Sequence, residues 1–227
     1  MKNLTPAYVS IRQQMLVACQ QAKRAPQEVL LLAISKSQPP EAIKALYELG
    51  QHHFGENRLQ EALPKILALT PLPLIWHFIG PLQTNKIARI AHHFDWVHSI
   101  CRLQEAEKLH EHRSKPPLQV CLQVNVGLEP QKQGLLPEIS AILPLAQTIE
   151  RKLTNLVFRG LMTILPANIP PETQLAHFKT LQMLQHHLQS KGFLCDTLSM
   201  GMSDDFEMAI QAGSTCVRIG RRLFEEN

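Results

Sequence analysis

Short apolar runs alternate along the chain with longer segments in which apolar residues recur every three or four positions. The runs are typical of buried parallel strands, and the longer segments are typical of helices that pack one face on a sheet. The pattern predicts eight strands, at residues 30–36, 52–57, 75–80, 96–100, 118–125, 156–161, 197–200 and 216–219. It predicts helices at residues 6–24, 40–49, 58–69, 85–93, 103–113, 138–149, 172–190 and 204–212, and one more helical turn after the last strand.

Regular alternation of strands and helices indicates a parallel sheet with right-handed crossovers. Eight units favour closure into a (β/α)8 TIM barrel of the α/β class over an open, doubly wound sheet. With 227 residues the chain is short for such a barrel, so we expect lean loops and a single domain, residues 1–227. The segment 6–24 is then an extra N-terminal helix, with Thr5 as its expected cap.

Composition and charge narrow the possible partners. The apolar fraction of 44% and charged fraction of 19% are ordinary for a soluble globular protein. The net charge of +4 is spread along the chain rather than gathered in a stripe, so we expect no nucleic-acid partner, whereas a small anionic ligand remains compatible.

The spacing of the cysteines and the lengths of the apolar runs indicate the cellular compartment. The five cysteines show no paired spacing, which is typical of free thiols in a reducing environment. The first residues do not resemble a signal peptide, and no apolar run approaches the roughly 18 residues of a membrane span. We therefore expect a cytoplasmic protein without a membrane partner.

Lys36 is the first candidate for chemistry. Ligands of (β/α)8 barrels bind at the carboxyl ends of the strands, and Lys36 ends the first predicted strand. A barrel mouth that desolvates the amine disfavours its charged form and leaves a neutral nucleophile, which attacks aldehydes. A strand-end lysine is more often a surface residue, so this role depends on the other residues at the same mouth.

Two glycine-containing loops follow the last two predicted strands. The first carries Gly201 and Ser203, and the second carries Gly220. Barrels commonly bind a phosphate at these two loops, on free N–H groups at helix starts. Alternatively, the glycines serve only as turn residues and Ser203 or Asp204 only caps a helix. Because both loops lie at the mouth that carries Lys36, phosphate binding is the favoured interpretation.

Arg218 and His77 each lie inside a predicted strand. Arg218 alternates with Val217 and Ile219, so it points away from its apolar neighbours, either into an ion pair such as one with Glu56 or as a donor into the barrel mouth. From its position, His77 is expected to be a hydrogen-bonded core histidine. Adjacent histidine pairs diverge and no H-E-x-x-H or G-x-S-x-G motif is present, so we expect neither a metal site nor a serine hydrolase.

Seven motifs together carry a resemblance to one family. They are AISK at 33–36, FGEN at 54–57, HFIGPLQTNK at 77–86, QVNVG at 123–127, GLMTI at 160–164, LSMGMSDD at 198–205 and VRIG at 217–220. They resemble, in order, the motifs of the pyridoxal phosphate homeostasis proteins, single-domain relatives of the alanine racemase N-terminal barrel. The resemblance extends from about residue 30 to residue 224.

The resemblance implies that pyridoxal 5′-phosphate (PLP) is held as a Schiff base, an internal aldimine, on Lys36. It implies that the phosphate lies near Ser203 and residues 218–220, and that Arg218 faces the pyridine nitrogen. Such an arginine disfavours a protonated ring and makes it a poorer electron sink. The implied cofactor-binding residues are Lys36, Asn57, His77, Met162, Ser199, Met200, Gly201, Ser203, Arg218, Gly220 and Arg221.

The resemblance implies a protein that binds, buffers and delivers PLP. Such a protein acts in vitamin B6 homeostasis and amino-acid balance, without established catalysis. No catalytic residue is therefore assigned. Alanine racemases take a second base, a tyrosine, from an additional domain, whereas Tyr8 and Tyr47 lie on predicted helices.

A PLP-dependent enzyme such as a weak amino-acid racemase remains the alternative, and a cofactor-free Schiff-base aldolase is the third possibility. The expected partners are PLP and apo PLP-enzymes that accept it, and the expected state is a monomer.

Two residues depart from the family pattern. Arg221 stands where a small hydroxyl residue is common, and Glu225 where a glycine is common. The backbone N–H of Arg221 can still bind a phosphate, but a hydroxyl donor is missing, so we expect a changed retention of PLP.

Overall fold

Eight parallel strands form a closed barrel in the computed structural model, which describes residues 3–224. The strands are β1 (Leu30–Ile34), β2 (His53–Glu56), β3 (Ile75–Phe78), β4 (Trp96–Ile100), β5 (Leu118–Gln123), β6 (Leu156–Met162), β7 (Thr197–Ser199) and β8 (Cys216–Ile219). Each strand pairs with the next in the chain, and β8 pairs with β1, which closes the barrel. The predicted (β/α)8 fold is confirmed.

Helices surround the barrel and precede it. They are α1 (Thr5–Gln21), α2 (Pro40–Glu48), α3 (Leu59–Ala68), α4 (Ile87–His93), α5 (Leu103–His112), α6 (Ile139–Lys152), α7 (Pro171–Ser190), α8 (Phe206–Gln211) and α9 (Arg221–Phe224). The extra N-terminal helix is present, but Thr5 does not cap it. Thr5 is its first helical residue, and its backbone N–H instead donates to Asn3 Oδ1 at 3.2 Å. Within residues 3–224, no helix combines the length and apolar character that crossing a membrane requires.

An apolar layer lies between the strands and the helices. Residues that alternate outward along the strands, such as Phe54, Val97 and Leu198, are fully buried there. The buried faces of the helices contribute residues such as Ile43 and Phe178. Because burial of such side chains contributes about 1.5–3 kcal/mol each, this layer is the main source of stability.

Barrel interiors are generally filled by branched apolar side chains. The inside of this barrel is unusually polar by comparison. His53, His77 and His98, which we call the histidine file, are connected by ring-nitrogen contacts of 2.9 Å from His53 to His77 and 2.9 Å from His77 to His98. His98 Nδ1 then lies 2.8 Å from Ser199 Oγ, to which Arg218 Nη1 donates at 2.9 Å. The expectation that His77 is a hydrogen-bonded core histidine is confirmed.

Burial keeps the histidine file neutral. Burial and the charge of Arg218 lower the pKa of His98 from 6.5 to about 3. Burial, followed by the neighbouring His98 and His53, lowers the pKa of His77 well below its ordinary value. Burial and His52 also lower the pKa of His53.

We expect His98 to make folding sensitive to acid. Its pKa is depressed in the folded state, so below pH 6.5 the unfolded chain binds a proton that the folded chain does not. The free energy of unfolding should therefore fall as the pH drops from 6.5 towards 3, by up to about 1.4 kcal/mol per pH unit from this residue. Urea unfolding at a series of pH values should show a shallower slope for His98→Asn. An unchanged slope would show that His98 is protonated in the folded protein.

Gly201 should be required for packing. Its φ is +97°, and a Cβ there would lie 2.6 Å from Ala209 Cβ of α8, whereas Gly50, with a φ of +93°, has nothing within 4 Å of such a Cβ. Both alanine variants bear similar backbone strain, so Gly50→Ala is the matched control. Gly201→Ala should lower the free energy of unfolding by about 1–3 kcal/mol more, measured by urea denaturation. Equal losses would show that the turn moves away from α8 without cost.

Candidate functional site

A pocket of about 440 Å³ opens at the carboxyl ends of the strands. We call it the mouth pocket, and six of the eight strand ends contribute to it. Its lining consists of Ile34, Lys36, Gln38, Asn57, Ile79, Gly80, Pro81, Met162, Ile164, Met202, Ser203, Asp204, Arg218, Gly220 and Arg221. A second cavity, of about 470 Å³, lies at the opposite end of the barrel. The candidate chemistry belongs to the mouth pocket, because Lys36 and the two glycine-containing loops meet there.

Lys36 lies in a tight turn that is held from two sides. The carbonyl of Ser35 accepts hydrogen bonds from Gln38 N at 3.0 Å and from Lys65 Nζ at 2.7 Å. Ser37 adopts a left-handed conformation with a φ of +61°. The turn places Lys36 beyond the end of β1, where the residue is exposed. The expectation that the barrel mouth desolvates its amine is therefore wrong for this structure.

A buried ion pair supports this turn. Lys65 Nζ lies 2.8 Å from Glu56 Oε1, and the Ser35 hydroxyl donates to the same oxygen at 2.6 Å. Glu56 is fully buried, and its Oε2 has no hydrogen-bond partner among residues 3–224. The suggested pairing of Glu56 with Arg218 is wrong, because α3 brings Lys65 to the carboxylate. Removing one partner of such a pair costs roughly 3–5 kcal/mol, so the turn that carries Lys36 is firmly anchored.

Arg218 lies at the base of the mouth pocket and is only 4% exposed. Its Nη1 donates to Ser199 O at 2.6 Å and to Ser199 Oγ at 2.9 Å, and its Nη2 donates to Thr163 O at 2.7 Å. A guanidinium carries five N–H donors, so the Nε–H and one Nη2–H remain for an acceptor in the pocket. Burial lowers the pKa of Arg218 below its ordinary value, but arginine keeps its charge in proteins.

Asn57, which follows β2, provides a buried acceptor in the pocket wall. Its Oδ1 is buried and has no hydrogen-bond partner within the described chain. Buried polar atoms are usually paired, so an unpaired oxygen in a pocket wall fits a ligand that donates a hydrogen bond. Gly80 lies against the same loop, where a Cβ would come within 2.0 Å of Asn57 O. Glycine at position 80 therefore permits the close contact that shapes this wall.

The loops after β7 and β8 form a cationic end of the pocket. Ser203 and Gly220 line it, and helix α9 begins at Arg221, so the first backbone N–H groups of α9 have no acceptor within the helix. Arg222 Nη1 donates to Ser203 O at 2.6 Å and ties the two loops together. Arg221 adds an exposed cation where the family commonly has a hydroxyl. Glu225, the other departure, lies outside the described residues.

The structure brings seven of the predicted cofactor residues to the pocket and leaves four outside it. The seven are Lys36, Asn57, Met162, Ser203, Arg218, Gly220 and Arg221. Ser199 lies beneath Arg218, Met200 lies in the apolar core, and Gly201 packs against α8. His77 does not reach the mouth, because it lies within β3 and its ring is held between His53 and His98. Its role at the cofactor site stays a prediction of the resemblance.

Sequence reasoning missed other parts of the site. Ile79, Pro81, Ile164, Met202 and Asp204 also line the pocket. Their position at or just beyond the predicted strand ends was the available signal. The contacts of Lys65 and of His98 join residues far apart in the chain, and no local pattern indicates them. Among residues 3–224, no three potential ligand side chains are gathered as a metal ion requires.

Comparison with known proteins gives a consistent result. The alanine racemase N-terminal domain family matches residues 13–227. The chain is 47% identical to a pyridoxal phosphate homeostasis protein of Vibrio cholerae, over 100% of this chain and 97% of that protein. It is 49% identical to one of Pseudomonas aeruginosa, over 91% and 88% of the two chains.

A solved structure resembles the whole barrel. PipY of Synechococcus elongatus, in a structure with PLP bound, is 35% identical and superposes with a TM-score of 0.79, covering 95% of this chain and 100% of that chain. The sequence match and this structural likeness cover nearly the entire length of the chain. The chain therefore belongs to the alanine racemase N-terminal domain family.

Proposed function

We propose that the chain binds PLP in the mouth pocket and acts in intracellular PLP homeostasis. The observation that carries the proposal is the placement of Lys36 and Arg218 in one pocket. The amine of Lys36 stands on an anchored turn, and Arg218 keeps two N–H donors free of partners within the described chain. The names of the relatives and the PLP in PipY support the same ligand.

The residues of the pocket fit the parts of PLP. Bound PLP supplies an aldehyde that condenses with an amine and a ring that withdraws electrons. Lys36 would hold the aldehyde covalently, and Arg218 would donate to the ring nitrogen. Asn57 Oδ1 would accept from a polar group on the ring, and Ser203 with the backbone at Gly220 would hold the phosphate. Arg221 places a further positive charge at the phosphate end.

Storage and delivery are favoured over turnover by the electrostatics of the pocket. A charged arginine at the ring nitrogen disfavours ring protonation and therefore weakens the ring as an electron sink. The lining residues include no tyrosine, histidine or cysteine that could serve as a second proton carrier, and the carboxylate of Asp204 lies on the loop that carries Ser203. We therefore propose a carrier that passes PLP to apo PLP-enzymes.

The proposal also covers the cellular compartment and the oligomeric state. All five cysteines are free thiols, and four of them are buried, which is typical of the reducing cytoplasm. We propose a cytoplasmic monomer, because the barrel builds the mouth pocket from a single chain.

Lys36→Ala should abolish covalent PLP attachment. After loading with PLP and dialysis, the variant should lose the visible absorption of the bound cofactor, while its far-UV circular dichroism stays unchanged because the residue is exposed. Lys86→Ala is the matched control, since Lys86 follows β3 at the same end of the barrel but does not line the pocket. A visible band that survives in Lys36→Ala would place the attachment on another lysine.

Transfer assays should separate a carrier from an enzyme. Protein loaded with PLP and freed of excess cofactor should reactivate an apo PLP-enzyme, and the loaded protein should not racemise a panel of D- and L-amino acids faster than free PLP. The reason is the weakened electron sink beside Arg218. Sustained turnover well above free PLP that disappears in Lys36→Ala would overturn the carrier proposal in favour of a PLP-dependent racemase.

A further inference from the structure

The hydroxyl of Ser199 determines how protons are arranged inside the barrel. Its Oγ lies 2.9 Å from Arg218 Nη1 and 2.8 Å from His98 Nδ1, and the thiol of Cys216 is a third group within its reach. Arginine can only donate, so it occupies an acceptor site on the oxygen. The hydroxyl has one proton to donate, and the imidazole Nδ1 of His98 is a stronger acceptor than the thiol sulfur of Cys216. We infer that Ser199 donates to His98, so that Nδ1 of His98 is the unprotonated nitrogen.

The same logic extends along the histidine file. A neutral imidazole has one N–H and one acceptor nitrogen, so His98 carries its proton on Nε2 and donates it to His77 Nδ1 at 2.9 Å. His77 must then donate from Nε2 to His53 Nδ1, also at 2.9 Å. With Arg218 as a donor and Ser199 donating to His98, one tautomer holds at all three histidines, which is a polarised array of hydrogen bonds.

Histidine suits this position for an electrostatic reason. A carboxylate beside Ser199 would pair with Arg218 and cancel its charge, whereas a neutral imidazole accepts the hydroxyl proton and leaves the guanidinium positive. Protonation of His98 would place two donors and two positive charges on either side of one oxygen. Burial of His98 and His77, which are each 1% exposed, strengthens both arguments, because desolvation disfavours their charged forms.

We propose that His98, supported by His77 and His53, is a positioning residue for Arg218. The histidine file orients the Ser199 hydroxyl, and Ser199 holds Nη1 of Arg218 through both its hydroxyl and its carbonyl. This arrangement leaves the Nε–H and one Nη2–H of Arg218 without an acceptor among residues 3–224, in a residue that lines the mouth pocket. The consequence for PLP retention rests on the proposed function, whereas the polarity of the file does not.

Nitrogen-15 NMR of the histidine side chains tests the polarity in the full chain without added cofactor. At neutral pH, His53, His77 and His98 should each be neutral with the proton on Nε2. Resonances are assigned by comparison with single histidine variants. A proton on Nδ1 of His98 would mean that Ser199 accepts from both neighbours, and this would overturn the proposal.

A pair of substitutions tests the positioning role. His98→Asn keeps an amide near the position of Nδ1 and can still accept from Ser199, whereas His98→Gln places its amide near Nε2 and contacts only His77. His98→Asn should retain the visible spectrum and affinity of bound PLP, and His98→Gln should weaken PLP binding roughly five- to tenfold, as expected for the loss of one hydrogen bond. Equal effects of the two variants would reduce His98 to a packing role.

A cofactor-free measurement separates this proposal from the proposed function. In the same two variants, solvent exchange of the Arg218 Nε–H should be faster in His98→Gln than in His98→Asn, because only the latter keeps Ser199 oriented. Circular dichroism and urea unfolding establish that both variants fold. If exchange differs as expected but the wild-type protein does not bind PLP, the positioning role stands and the proposed ligand is wrong. If exchange is equal in both folded variants, the positioning role is wrong.

Discussion

The burial of the Arg218 guanidinium is the constraint on which the rest of the site depends. A buried charge is tolerated only when its donors are hydrogen-bonded, because desolvating it costs several kcal/mol. The carbonyls of Thr163 and Ser199 meet this need, and they stand at the ends of two adjacent strands. These bonds link β6, β7 and β8 through Arg218, which lines the mouth pocket.

Lys36 follows β1, the strand next to β8, and is positioned by a different set of contacts. Its own side chain is exposed, and the structure fixes the turn around it through Lys65, Glu56 and the carbonyl of Ser35. Two buried cations therefore serve the site in different ways. Arg218 presents its own donors to the pocket, whereas Lys65 stays beneath the surface and stabilises the backbone that presents another lysine.

The sequence predicted the parts of this protein that depend on local pattern. Apolar runs and their spacing indicated all eight strands. A strand end indicated Lys36, the loop after the seventh strand indicated Ser203, and alternation with Val217 and Ile219 indicated Arg218, because parallel strands share one functional edge. The sequence did not predict which buried polar groups meet. His53 and His98 lie 45 positions apart, as their numbers show, and their link depends on barrel register. A polar residue inside each of several apolar strands was the signal for a polar interior.

Arg218 connects the polar interior of the barrel with the mouth pocket. On one side it fixes the direction of the hydrogen bonds through Ser199 and the histidine file, and on the other it faces the mouth pocket. Its donor-only guanidinium underlies the inferred tautomers, and its positive charge opposes protonation of a ring nitrogen. A barrel built around such a charge fits the proposed binding of an electron-poor aldehyde cofactor. The polar interior is therefore a property of the binding site and not a defect of the core.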